Sequence, residues 1–350
     1  MKIKDYIIGN FKAPYIIAEL GSNHNGDMKL ARQLIDEAKA AGCHCVKFQS
    51  WSKDTIFAKK VYQDNYFLND DYRNRTDYTL EEIVEAFSMS EQELLDMRNY
   101  CLELGIDFTS TPFSAHEVDF LVDVLDAPFI KIASMDLNNY PFLDYVARKG
   151  RAVMLSTGLS TLAEVDRAVA TIEAAGNQDI VLLHCISVYP PVDAEINLNN
   201  IDMLRDNYPD YPVGFSDHSI GVEIPLASVA KGACVIEKHF TLDKSMFGWD
   251  HKVSATRDEM ALIVSGSKRI NDALGSYRRV VSEAEKKKIP SFRRSVVAAR
   301  AIPVGAVITR EDLDLKRPGT GIEPGDIGFI IGKTAKRDIE ADALITPEDF

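Results

Sequence analysis

From residue 15 onward the chain carries apolar runs of strand length: YIIAEL (15–20), CVKFQS (45–50), IDFTST (106–111), FIKIAS (129–134), AVMLST (152–157), DIVLLHCIS (179–187), YPVGFSDH (211–218) and CVIEKHF (234–240). Longer stretches with apolar positions at helical spacing separate them, such as MKLARQLIDEAKAAG (28–42), SEQELLDMRNYCLELG (90–105), TLAEVDRAVATIEAAG (161–176) and EIPLASVAKGA (223–233). Three of these close on Gly, a common helix terminator. Strand and helix alternating in this way predict parallel strands joined by crossover helices, and eight such units close into a (β/α)8 TIM barrel. An open doubly wound sheet competes, but no G-x-G-x-x-G follows the first run. Residues 51–89, rich in Tyr, Asn and Asp, read as a long insertion after the second strand, where barrels carry lids.

After the helix-like TRDEMALIVSGSKRINDALG (256–275) the pattern changes. The charged stretch VSEAEKKKIP (281–290) reads as a linker between a barrel over 1–280 and a second domain over 291–350. That domain repeats itself: AIPVGAVITREDL (301–313) matches DIEADALITPEDF (338–350) at Ile302/Ile339, Ala306/Ala343, Ile308/Ile345, Thr309/Thr346, Glu311/Glu348 and Asp312/Asp349. The repeat predicts a small, pseudo-symmetric β-rich module.

Composition narrows the function. With 46% hydrophobic and 27% charged residues the chain is an ordinary globular protein. A net charge of −13 opposes nucleic acid and anionic membranes, so an anionic substrate must be held by a few specific cations. No apolar run is long enough to span a bilayer, and the start MKIKDYIIGN lacks a secretory pattern. Cys43, Cys45, Cys101, Cys185 and Cys234 form no C-x-x-C pair and read as reduced core thiols of a cytoplasmic protein.

Chemistry in such barrels sits at the C-terminal ends of the strands. There the sequence places Glu19, Lys47, Gln49, Ser110, Thr111, Lys131, Ser134, Ser156, Thr157, Ser187, Tyr189, Ser216, Asp217, His218, Glu237, Lys238 and His239, with Asn23 and His24 in the first loop. Charged groups inside apolar strands need a partner or a ligand. Structural ion pairing, for example of Lys47 with Glu19, is one reading. Two lysines with hydroxyls from several strand ends better suit a phosphate and a carboxylate held together. His218 and His239, at the ends of neighbouring strands, suit an open transition-metal site.

The motifs IAELGSNHNG, VKFQ, STPFS, KIAS, STG, HCIS with VYP, FSDHS, EKHFTLDK, DHKVSA and KRPGTG, in this order, resemble the sialic acid (nonulosonic acid) synthase family over the whole chain. The resemblance implies a phosphoenolpyruvate-using TIM barrel, with a tail similar to the antifreeze-like (SAF, β-clip) domain. It implies phosphoenolpyruvate binding by Lys47, Thr111, Lys131, Ser134, Ser156, Ser187 and Ser216. Glu19, Gln49, Tyr189, Asp250 and Arg317 would position an open-chain N-acyl amino sugar, and His218 and His239 would hold a divalent metal, most often Mn2+, with Mg2+ or Co2+ as alternatives. Glu19, Lys47, Lys131 and Asp136 would be catalytic. The family's homodimer exchanges C-terminal domains, so Arg317 would reach into the partner's site. This chain departs from the family pattern at Ser134-Met135-Asp136, where many members read S-G-E, at Ser187, and at Trp249 within MFGWDHKVSA. A Schiff-base aldolase using Lys47 or Lys131, and a non-enzymatic sugar- or ice-binding protein, are the competing readings.

Overall fold

The computed structural model describes residues 1–64 and 79–350, which form two compact units, Met1–Gly275 and Ser276–Phe350. In the first unit, the eight apolar runs become eight parallel strands: β3 (Tyr15–Gly21), β4 (Cys45–Gln49), β5 (Asp107–Thr111), β6 (Phe129–Ile132), β7 (Ala152–Ser156), β8 (Ile180–Cys185), β9 (Val213–Asp217) and β10 (Val235–His239). A two-residue-strand hairpin precedes them, β1 (Lys2–Ile3) with β2 (Tyr6–Ile7). The ladder order is β5-β4-β3-β10-β9-β8-β7-β6. Across the remaining gap the Thr109 hydroxyl donates to the Phe129 carbonyl at 3.0 Å, tying β5 to β6 and closing the ring.

The intervening helices follow from local chemistry. In Met28–Ala41, Asp27 caps the first turn by accepting from the Lys29 and Leu30 amides, and Gly42 ends it in the left-handed region. Ala31, Leu34, Ile35, Ala38 and Ala41 form its buried stripe. Capping boxes of Ser90 with Glu93 and Thr161 with Glu164 start the helices Glu91–Leu104 and Leu162–Ala174.

Strand alternation sorts the residues into two layers. Ile16, Ala18, Leu20, Val46, Phe48 and Ile236 pack outward under the helices. Tyr15, Ile17, Cys45, Phe129, Met154, Val181 and Val235 fill the barrel interior, joined by Ile3 and Ile8 from the hairpin region. That interior core belongs to the N-terminal ends of the strands, and the polar residues occupy the C-terminal ends. All five cysteines are buried and free of disulfides. No helix among the described residues is long and apolar enough to cross a membrane.

The insertion expected over 51–89 supplies the short helices Lys53–Ile56, Lys59–Asp64 and Leu80–Phe87; its portion 65–78 lies outside the described residues. Trp51, Leu80, Ile83, Val84 and Phe87 make a separate apolar cluster, against which Phe57, Phe113, Phe247 and Trp249 pack.

In the second unit, the stretch expected to be a linker is largely helix, Glu283–Phe292. Ser282 and Glu285 form a reciprocal capping box at its start, which stabilises the charged sequence as helix. Beyond it, β11 (Ser295–Ala298) pairs antiparallel with β12 (Leu313–Lys316). The internal repeat is structural: Ile302 bridges Ile339, and Ile308 and Ile345 are fully buried. Asp312 accepts from Thr309 and pairs with Arg300, just as Asp349 accepts from Thr346 and pairs with Arg337.

Candidate active site

One cavity of about 260 Å³ opens at the C-terminal ends of the barrel strands. Glu19, Lys47, Gln49, Thr111, Lys131, Ser134, Ser156, Ser187, Tyr189, Ser216, His218 and His239 all line it. Period-two alternation puts them there: on β3, Glu19 faces in while Ala18 and Leu20 face the helices. Gly21 then turns the chain out of the strand at φ +47°, where a Cβ would stand 2.9 Å from Glu19 Oε1.

The floor of the cavity is a buried charge network. Lys47 pairs with Glu19 and donates to Thr111 Oγ1 at 2.8 Å. Glu237 lies between the two lysines, its Oε1 3.8 Å from Lys47 Nζ and 3.6 Å from Lys131 Nζ, and accepts from Ser216 Oγ at 3.1 Å. Burial pushes the Glu19 carboxyl up to about 7; neighbouring Glu237 adds to this and Lys47 opposes it. Burial also works upward on Glu237, but Lys131 and Lys47 outweigh it and hold the carboxyl below its usual range. The Lys131 ammonium is pushed down by burial, partly offset by Glu237. Burial acts the same way on Lys47, but Glu19 and Glu237 overcome it and keep this ammonium above its usual value.

Hydroxyls gather on the β7–β8 side. A Cβ placed on Gly158 would lie 2.5 Å from Ser187 Oγ and 2.6 Å from Ser134 Oγ, so both hydroxyls converge on that α-carbon. Ser156 Oγ, buried beside them, has no hydrogen-bond partner among the described residues. Glu237 Oε2 and His239 Nδ1 are likewise without one. Buried polar groups are normally paired, so three open valences around one cavity mark it as built for something polar.

His218 and His239 stand with ring centroids 5.4 Å apart, and Tyr189 covers them, its ring 4.0 Å from His218 and 5.8 Å from His239. His218 Nδ1 lies 2.7 Å from the Ile186 carbonyl; donating there leaves Nε2 with a free lone pair. Burial, reinforced by His218 and Lys47, holds the His239 imidazole well below its usual pKa, so it is neutral and ligand-competent. Asp250 approaches it, Oδ2 to Nδ1 3.7 Å. The two imidazoles fit part of a metal site; burial works downward on His218, but Cys185 and the Ile186 carbonyl outweigh it and hold this imidazole above its usual pKa, so a cation there must displace a proton. Among the described residues, no three His, Cys, Asp or Glu side chains already converge as a complete ligand set.

Asp136 and Asp250 do not line the cavity. The 3-10 turn Ser134–Asp136 gives Ser134 and Met135 to the cavity, whereas Asp136 is not among the lining residues and accepts from Asn139 Nδ2 at 3.1 Å. Arg317 belongs to the second unit, where its Nε donates to the Phe292 carbonyl at 3.1 Å and its guanidinium covers the Phe292 ring. The sequence put Glu237 at a strand end but gave it no role. Its signal was the alternation in VIEKH: if His239 faces the mouth, so does Glu237, and Lys238 does not. Lys238 is instead buried outside the ring with Asp217 at 2.5 Å. Gln49 was anticipated, but its neighbour Trp51 was not: Trp51 Nε1 donates to Gln49 Oε1 at 2.8 Å, and Gln49 Nε2 donates to Glu19 Oε1 at 2.9 Å.

Residues 34–279 match the NeuB family and residues 293–350 the SAF domain. The N,N'-diacetyllegionaminic acid synthase of Legionella pneumophila is 39% identical over 337 residues, spanning 95% of this chain and 93% of that protein. The Homo sapiens N-acetylneuraminate-9-phosphate synthase is 33% identical over 342 residues, 97% of this chain and 94% of its own. The crystal structure of an N-acetylneuraminic acid synthetase from Leptospira borgpetersenii, in complex with citrate, matches with TM-score 0.73 at 32% identity, covering 83% of this chain and 94% of that one. Agreement over most of the barrel, and along nearly the full length of both relatives, establishes that the chain belongs to the NeuB family and ends in a SAF domain.

Proposed function

We propose that this protein, as a nonulosonic acid synthase, condenses phosphoenolpyruvate with the aldehyde of an N-acyl amino sugar and releases phosphate by C–O cleavage. The observation that carries this reading is the buried Lys47–Glu237–Lys131 row facing converging hydroxyls in one strand-end cavity. The lysines would neutralise the carboxylate and phosphate of phosphoenolpyruvate, with Thr111, Ser134, Ser156, Ser187 and Ser216 donating to their oxygens. Ser156 Oγ, without a hydrogen-bond partner among the described residues, would gain one on binding.

Glu19, Gln49, Tyr189 and Asp250 would orient the open-chain sugar, with its aldehyde against the His218/His239 wall. A divalent cation held by those two imidazoles, manganese being the first choice, would supply Lewis acidity toward an aldehyde oxygen. C3 of phosphoenolpyruvate attacks the aldehyde carbon, forming the C–C bond while positive charge develops at C2. Glu237, which lines the cavity, would stabilise that charge in place of Asp136; water then adds at C2 and phosphate departs. Glu19, with its pKa near neutrality, is suited to exchange a proton during these steps.

We further place the reaction in the cytoplasm and in a homodimer, with Arg317 of each SAF domain reaching the other subunit's sugar. Arg317→Ala should then raise KM for the sugar severalfold and leave KM for phosphoenolpyruvate unchanged; an unchanged sugar KM refutes this placement. The Schiff-base alternative is disfavoured because the relatives are synthases and Lys47 is held protonated by two carboxylates; Lys131, whose ammonium burial pushes down, is the lysine that borohydride trapping addresses. The direct test is phosphate release from phosphoenolpyruvate with a panel of N-acyl hexosamines, with manganese and with chelator. Release that requires both sugar and metal is expected; a borohydride-trapped pyruvate adduct, or no release with any sugar, refutes it.

A further inference from the structure

Gln49 is held at both ends of its amide. Its Oε1 accepts from the Trp51 indole Nε1 at 2.8 Å, and its Nε2 donates to Glu19 Oε1 at 2.9 Å. The indole is itself fixed by packing: Trp51 is 3% exposed, walls a small apolar cavity beside Gln49, and belongs to the cluster of Leu80, Ile83, Val84 and Phe87. The Trp249 ring stands 5.9 Å from it, centroid to centroid. At its other end the amide joins a group of polar atoms above β3. A Cβ placed on Gly21 would lie 2.9 Å from Glu19 Oε1, 3.2 Å from Gln49 Nε2 and 3.7 Å from Asp250 Oδ2, so the three converge on one α-carbon. Glu19, Gln49 and Asp250 are sugar contacts in the synthase reading.

We infer that Trp51 is a positioning residue for the acceptor sugar: its indole N–H fixes which end of the Gln49 amide faces Glu19 and the cavity. The inference rests on the synthase reading of that cavity. The two ends of a carboxamide have nearly the same shape and opposite hydrogen-bonding sense. Glu19 does not choose between them, because a carboxyl accepts when ionised and donates when protonated. An indole N–H only donates, so it takes the amide oxygen and turns the nitrogen toward Glu19. Nε2 carries two hydrogens and makes one bond among the described residues, the one to Glu19. The second N–H remains to donate to an oxygen of the open-chain sugar in the cavity that Gln49 lines. With both ends anchored, this donor is oriented before the sugar arrives, and binding does not have to immobilise a long side chain. A phenyl ring at position 51 would pack in the same cluster but leave the amide able to pivot about its bond to Glu19, or to present its oxygen instead. Packing accounts for an aromatic residue there; the hydrogen bond accounts for its being an indole.

The test compares wild type and Trp51→Phe as full-length enzymes at saturating manganese, with the N-acyl hexosamine that the wild type turns over best. KM for the sugar should rise about 3- to 10-fold, the worth of one neutral hydrogen bond, while KM for phosphoenolpyruvate stays as in the wild type. An unchanged sugar KM in the folded variant overturns the inference, as do equal rises in both KM values, which mark a purely structural role. Trp51→Met, which also lacks the donor, takes the place of Trp51→Phe should that variant not fold. A further readout needs neither: the chain has two tryptophans, so protein with isotopically labelled tryptophan shows two indole N–H resonances, and Gln49→Met should displace one of them. Two unmoved resonances overturn the inference. Absence of phosphate release by the wild type with every acceptor refutes the synthase reading, and this role with it; release with an unmoved sugar KM in Trp51→Phe refutes this role alone.

Discussion

Glu237 and Lys238 are consecutive residues of one strand, both buried, and each lies near a side chain of opposite charge. Glu237 faces the barrel interior, within 3.8 Å of two lysines, and still has an oxygen without a hydrogen-bond partner among the described residues. Lys238 faces outward, where it pairs with Asp217 and donates to the Ser219 carbonyl at 2.7 Å, while Asp217 also accepts from the Ser219 amide. The outer pair is completed by the protein; the inner network keeps hydrogen-bonding capacity open toward the cavity. Burial and charge alone therefore do not separate structural from functional residues; unfilled hydrogen-bonding capacity gathered around one cavity, rather than single as at Ser267, adds the missing signal.

This contrast predicts opposite consequences for two similar substitutions. Lys131→Met should lower kcat/KM about 1,000-fold, or ~4 kcal/mol of transition-state stabilisation, with a melting temperature within a few degrees of wild type. A normal rate in steady-state assays would remove Lys131 from the chemistry. Lys238→Met should behave in the reverse sense, costing about 3 kcal/mol of stability in denaturant titrations by stranding Asp217, while the folded fraction keeps its turnover. Loss of turnover at full stability would erase the distinction between the two faces.

The interior should also respond to pH. Glu19 binds its proton more tightly folded than unfolded, because its pKa rises from 4.5 to about 7. Stability from this group is thus complete at acidic pH and falls as pH climbs through that interval, with a slope of at most about 1.4 kcal/mol per pH unit. Glu19→Gln should flatten that part of the unfolding free-energy curve in the metal-free protein; an unaltered slope would assign the titration elsewhere. The smallest effect belongs to the double variant Lys238→Met with Asp217→Leu, which removes the outer pair together and should return to within about 1 kcal/mol of wild type in the same titrations.

The barrel was legible because its buried parallel strands are nearly continuous apolar runs, and because polar residues at their C-terminal ends violate that pattern. The same rule placed Lys47, Lys131 and both histidines. What was not legible depended on short-range geometry. One 3-10 turn after β6 carries Asp136 away from the cavity that its neighbours Ser134 and Met135 line, and no spacing rule announces such a turn. Glu237 was readable from period two but was masked by the histidine two residues on. The helix Glu283–Phe292, in the stretch between the two family matches, carried its own S-x-x-E capping signal, which the density of charge hid. The small apolar cavity beside Gln49 needed side chains from five separate segments, and so existed only once the chain was folded.

The doubled architecture of the SAF domain has one more use. Asp312 and Asp349 sit in matching corners, each closing a turn by accepting from a threonine and each gripping an arginine. The two halves are thus an internal control within a single molecule. A change made at one corner has its reference at the other, so any inequality between them measures what surroundings, rather than motif, ask of that half.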